Sequence, residues 1–220
     1  MDDLEKGRVL ASSTSNIVRA WQELYPMLDT LWQRLKTGFA DVGAIDDAGA
    51  DDTGFKGFDH ASYGWQFNVV ERVKRLPGQR GRTRKPRQFG TISLHIRFCS
   101  DPESEFVETN WPWIDQACLI VGWHEGEDEG VHWTSPDYDP VEQAAVEIHH
   151  DGHGLWGWGE GGAYFFALPV FSMKSEEDLD RKVIAPLKAL FGNEDKPALA
   201  ATALAGTGAL MPYPDKRLPT

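Results

Sequence analysis

The chain has very little sulfur chemistry to offer. Only two of its 220 residues are cysteines, Cys99 and Cys118, and neither stands in a Cys-x-x-Cys spacing. That excludes a cysteine-based zinc finger and makes a disulfide framework a poor description; buried thiols are the expectation. It also lacks any apolar run approaching the roughly 20 residues needed to cross a bilayer. The opening Met-Asp-Asp-Leu-Glu-Lys has none of the basic-then-apolar order of a secretory signal. A soluble protein of the cytoplasm, without a membrane partner, is therefore expected.

The phosphate-cradling motifs are missing too. No Gly-x-x-x-x-Gly-Lys occurs, and Gly157-Trp-Gly-Glu-Gly-Gly162 shares only its glycine content with a dinucleotide fingerprint, because a strand pattern follows it where a helix is required. There is no Gly-x-Ser-x-Gly elbow and no His-Glu-x-x-His. Positive charge is scarce: 22 Lys and Arg stand against 34 Asp and Glu, a formal charge of −12. An average surface of that sign repels nucleic acid.

The scarce positive charge is concentrated. Arg72 to Arg87 holds eight of the 22 cations and no acid, so the other 204 residues carry −20. Pro77, Gly78, Gly81 and Pro86 mark its centre as an extended hairpin loop. Arg80, Arg82, Arg84, Lys85 and Arg87 are candidate partner-binding residues, and the whole stretch 72–87 is a candidate nucleic-acid contact. No aromatic residue is interleaved among them to stack on bases.

Apolar periodicity supplies the elements. From Ser15, the positions Ile17, Trp21, Leu24, Leu28, Leu31 and Leu35 repeat at spacings of four and three, one stripe on a helix ending near Gly38. Tyr25 and Trp32 widen the stripe, and Pro26 predicts a kink or break. The stripe reads either as a helix packed on a sheet or as a partner-binding helix. Residues 1–13 read as frayed. Residues 41–59, with six aspartates and four glycines, read as an acidic loop.

Period-two alternation predicts strands over Tyr63–Val69 and Thr91–Phe98, and Ala117–Trp123 reads as a strand buried on both faces. Val131–Thr134 is expected to return as its hairpin partner. Asp139-Pro-Val-Glu142 has the form of a helix start, so 140–150 reads as a helix capped near Gly152. Leu155–Trp158 and Ala163–Phe171 then form a third hairpin, with Pro169 at a strand end or edge. A last helix begins at Ser175, with Glu176, Glu177 and Asp178 in its first turn, and stops at Gly192.

The resulting fold class is α+β: a mainly antiparallel sheet of about six strands with helices packed on one face. One domain over 14–192 is expected, with 193–220 as a flexible or surface-draped tail.

Two sites with chemistry remain. His149, His150 and His153, beside Glu147 and Asp151, hold enough nitrogen and oxygen ligands for a divalent metal. On a helix His149 and His150 would point about 100° apart, which leaves helix-end capping as the competing role. Asp59, Glu71 and Lys74 could serve a magnesium-dependent nuclease guided by the basic loop, although Glu71 and Lys74 fall on opposite faces of a strand. Trp156 and Trp158 share one face at period two and, if exposed, offer an aromatic platform. Charge segregation without a recognisable catalytic constellation points to a non-enzymatic interaction protein, binding another protein through charged loops and exposed aromatics. The alternative is a metal-dependent nuclease or hydrolase using the loop 72–87 and a carboxylate/histidine site.

Overall fold

A computed structural model describes residues 2–41, 43–46, 62–71, 87–97, 117–126, 148–150, 154–158, 163–191 and 196–210. Helix α1 spans Asp3–Gly38. Among the described residues seven strands follow: β1 (Ala44–Asp46), β2 (Ser62–Val70), β3 (Gln88–Arg97), β4 (Cys118–Glu125), β5 (Ile148–His150), β6 (Trp156–Trp158) and β7 (Ala163–Pro169). A 3-10 turn, Val170–Ser172, leads to α2 (Glu176–Leu179), a π turn (Asp180–Ile184), α3 (Ala185–Leu190) and α4 (Lys196–Leu204). The chain is α+β, and its strands form one antiparallel sheet in the order β1-β2-β3-β4-β7-β6-β5.

Alternation along the strands explains the core. The register sets Phe67 opposite Ile92 and Ile92 opposite Trp123, while Leu94 lies opposite Val121 and Val121 opposite Phe166. Because every second residue shares a face, these positions make one apolar surface. It joins Leu24, Leu31 and Leu35 of α1, Val183 and Leu187 of the C-terminal helices and Leu204 of α4 in one buried cluster. The alternate positions Cys118, Ile120, Phe165 and Ala167 are also buried. As expected, β4 is therefore an apolar run covered on both faces.

Close packing dictates one glycine. A Cβ on Gly90 would collide with the His124 carbonyl oxygen and with the ring of Trp123. Trp123 in turn packs against Phe191, its ring tilted by 39° with 4.0 Å between centroids, which ties β4 to the end of α3.

Several expectations need correction. Helix α1 begins at Asp3, whose preceding residue caps it: the Asp2 carboxylate accepts from the Glu5 amide at 2.7 Å. Pro26 lies within the helix. Tyr25 does not widen the buried stripe, being 71% exposed. The acidic stretch 41–59 contributes β1, because Ala44 and Ile45 pair with Val70 and Val69. Residues 148–150 are strand, not the end of a helix: the chain there pairs with β6, and ladder hydrogen bonds outweigh the local helix-start signal upstream. The predicted hairpin partner of β4, Val131–Thr134, lies outside the described residues. Both edges of β4 over Cys118–His124 are occupied, by β3 and β7. Composition left 193–220 as tail, yet over 196–210 the chain forms α4, with Ala200 and Leu204 in the core, and then donates from the Leu210 amide to the Ala167 carbonyl at 2.8 Å.

Candidate functional site

The two most chemical features of the sequence are only partly described. Arg80, Arg82, Arg84, Lys85 and His153 lie outside the described residues, as do Asp59 and Lys74. Arg87 immediately precedes β3, exposed, with its guanidinium 6.0 Å from the centre of the Phe89 ring. Glu71 follows β2, its amide donating to the Arg87 carbonyl at 2.7 Å. His149 and His150 are consecutive positions of β5, paired with Gly157 and Trp156 of β6, and Trp158 pairs with Ile148. Consecutive strand positions belong to opposite faces of a sheet, so the strand assigns 149 and 150 to different sides. Among the described residues no group of three His, Cys, Asp or Glu is placed to hold a metal ion.

The feature that the described residues do build is on α1. Its stripe is covered at one end only. Leu24, Leu31 and Leu35 are 2% exposed or less, whereas Leu10 and Ile17 are 65% and 50% exposed. Every residue from Asp2 to Arg19 is exposed. The covered end is seated by aromatic and ionic contacts. Trp32 stacks on Phe67 at 4.5 Å, with the Lys36 ammonium 4.0 Å from the Trp32 ring. Arg34 donates through Nε to Asp180 Oδ1 at 2.8 Å and through a second nitrogen to Asp180 Oδ2, with Glu176 alongside. The hydrogen bond to Asp180 and the charges of Asp180 and Glu176 hold the guanidinium pKa above its ordinary value, against a smaller opposing effect of burial.

Where α1 leaves the body, a cleft of about 760 Å³ opens between it and the segment joining β7 to α2. Leu24, Met27, Val170, Phe171, Met173 and Leu179 give it an apolar lining. Phe171, 47% exposed, stands at this lining. The joining segment is held rigidly. Ser175 Oγ accepts from the Asp178 amide at 3.1 Å, and Asp178 Oδ2 accepts from the Lys174 amide at 3.1 Å, a reciprocal cap on α2. The Lys174 amide, followed by Arg181 and Lys182, holds the Asp178 carboxyl below the ordinary aspartate range despite some desolvation. The largely buried Lys182 donates to the Ser172 carbonyl at 2.6 Å and approaches Asp178 at 3.5 Å.

Reading the sequence alone missed this cleft. Its two walls come from opposite ends of the chain, and the one available signal was a helical stripe longer than the domain needs. Comparison with known proteins found no matching family model, no matching curated protein and no matching solved structure. Among the described residues no helix is long and apolar enough to cross a membrane.

Proposed function

We propose that the chain is a non-enzymatic cytosolic interaction protein that docks a partner protein along the exposed half of α1 and the adjoining cleft. One observation carries this reading: Leu10 and Ile17 continue the buried stripe of α1 into solvent, where neighbouring Leu4, Val9 and Val18 are each at least 51% exposed. Exposed apolar surface of that extent, rimmed by charge, is the usual mark of a protein-binding site. The rigid, capped wall formed by Val170–Leu179 presents Phe171 beside it, an aromatic anchor of the kind that dominates interface energetics. The basic residues Arg80, Arg82, Arg84, Lys85 and Arg87, and Trp156 and Trp158, belong to the proposal as further partner contacts, with nucleic acid as the competing ligand of 72–87.

The layout that goes with this reading is a single α+β domain with its helices on one face of the sheet. It is supported by the shared cluster of α1, α3 and α4 residues with alternate strand positions. In this reading α4, whose Ala200 and Leu204 join the buried cluster, belongs to the same domain as residues 14–192.

The experiment is site-specific photo-crosslinking in the producing cell, with the reactive residue at Ile17 or, as control, at Ser12 on the polar side of the helix. Protein adducts from Ile17 and none from Ser12 are expected, together with no hydrolysis of DNA or RNA in magnesium or manganese. Hydrolysis with no adduct would overturn the reading in favour of the nuclease.

A further inference from the structure

The face of the sheet turned away from the buried cluster carries a different set of residues. Directly paired residues of neighbouring strands share a face, so the register lays out two adjoining rows there. Asn68, Thr91, His124, Ala163 and Trp158 make one row. Gln66, Ser93, Gly122, Phe165 and Trp156 make the other. The rows run from β2 to β6, about 19 Å at the usual strand spacing. Amide and hydroxyl residues occupy the β2–β3 end, tryptophans the β6 end, and the small Gly122 and Ala163 lie between. What the rows lack is charge. Asp, Glu, Lys and Arg make up 25% of the chain, and the face of an antiparallel sheet away from its core is where polar residues ordinarily go. None of the four types stands in either row.

The centre of this strip is open in part: Ser93 and His124 are half-buried, while Thr91 and Phe165 beside them are buried. Nδ1 of His124 is enclosed and has no hydrogen-bond partner in the protein. Such an atom costs free energy unless a bound molecule or water meets it. The Ser93 hydroxyl lies over Gly122, where any Cβ would collide with it. These groups select the ligand by their chemistry. Hydroxyls, amides and imidazoles each donate and accept, which matches a molecule whose own groups do both, and an indole offers a flat apolar face. A sugar ring combines hydroxyls around its rim with apolar C–H faces. No cation in the rows would meet a phosphate or carboxylate, and no carboxylate would meet an amine. A lipid chain would leave the polar end of the strip unpaired. The length of the strip exceeds one ring and suits a short chain of them.

We propose that this face of the sheet binds a neutral oligosaccharide, with Ser93 and His124 as its hydrogen-bonding centre and Trp156 and Trp158 as the positions that take a ring face. The site goes beyond the docking of a protein on α1 and does not depend on it. The test is isothermal titration of the full chain with cellotetraose, maltotetraose and chitotetraose. At least one of these is expected to bind saturably, and a carboxylated counterpart, oligogalacturonate, is not. His124→Ala and Trp156→Ala are each expected to weaken binding at least about tenfold, and Leu199→Ala, at an exposed position of α4, to leave it unchanged. In the unaltered chain, the ring-proton resonances of His124 are expected to move along the same saturation curve, a readout that no variant's folding affects. Absence of saturable binding by all three sugars, equal binding of oligogalacturonate, unchanged binding in both variants, or a His124 ring that does not respond overturns the proposal.

Discussion

Leu24, Leu31 and Leu35 in one half of α1 and Leu10 and Ile17 in the other share one helical phase but meet different surroundings. In the first, Leu24, Leu31 and Leu35 are sealed against the sheet and the C-terminal helices. In the second, Leu10 and Ile17 sit in the same phase with nothing of the described fold over them. Periodicity specifies that a helix has an apolar face; it does not specify whose surface covers that face. What distinguishes the halves is the seat: Trp32 on Phe67 and Arg34 on Asp180 at one end and, among the described residues, neither kind of contact at the other.

The most forceful way to break the comparison is to truncate one leucine in each half. Leu31→Ala, at a site with no exposure, is expected to cost about 2–5 kcal/mol. Leu10→Ala, at an exposed site, should stay within about 0.5 kcal/mol. Urea unfolding of both variants checks the pair, and equal losses would show that the two halves share one environment. A smaller effect tests the body on which the covered half sits: Gly90→Ala should cost about 1–3 kcal/mol, because the Trp123 ring and the His124 carbonyl must shift.

Next in size is the cap on α2, the element that covers α1. Ser175→Ala is expected to cost about 1 kcal/mol in thermal or urea unfolding. The cap also gives a pH signature. The Asp178 carboxyl is held below its ordinary value, so its contribution is present above the unfolded pKa and is lost as pH falls through the depressed folded value. Asp178→Asn should therefore lower the melting temperature at neutral pH and lessen its fall in acid. The smallest expected change comes from Arg34→Gln, since the ion pair with Asp180 is solvent-screened. A slight loss of melting temperature that salt diminishes in the wild type and not in the variant would place that pair at the boundary between the two halves.

Elements with a strong period of their own were legible in the sequence. β2, β3 and β4 follow from alternation or from an unbroken apolar run, and the start of α2 follows from Ser175 and Asp178. Elements made by their partners were not. β1 is three residues inside an acidic stretch, present because Ala44–Asp46 pairs with β2. β5 lies downstream of the helix-start pattern Asp139-Pro-Val-Glu142, and its pairing with β6 is a tertiary fact that no local signal carries. The first turns of α1 were hidden by Gly7 and the hydroxyl-rich run 12–16, whose intrinsic preference is against helix. The candidate surface was half visible: the stripe itself was read, but the end left open depends on where α2 and the sheet stop. The cleft beside it joins Met27 to Val170 and could not be seen from either segment alone.

Amide hydrogen exchange across α1 in the purified protein tests the central claim most directly. Amides of residues 24–35 should be strongly protected, while those of 4–20 should exchange rapidly. Protection of 4–20 equal to that of 24–35 would contradict the account.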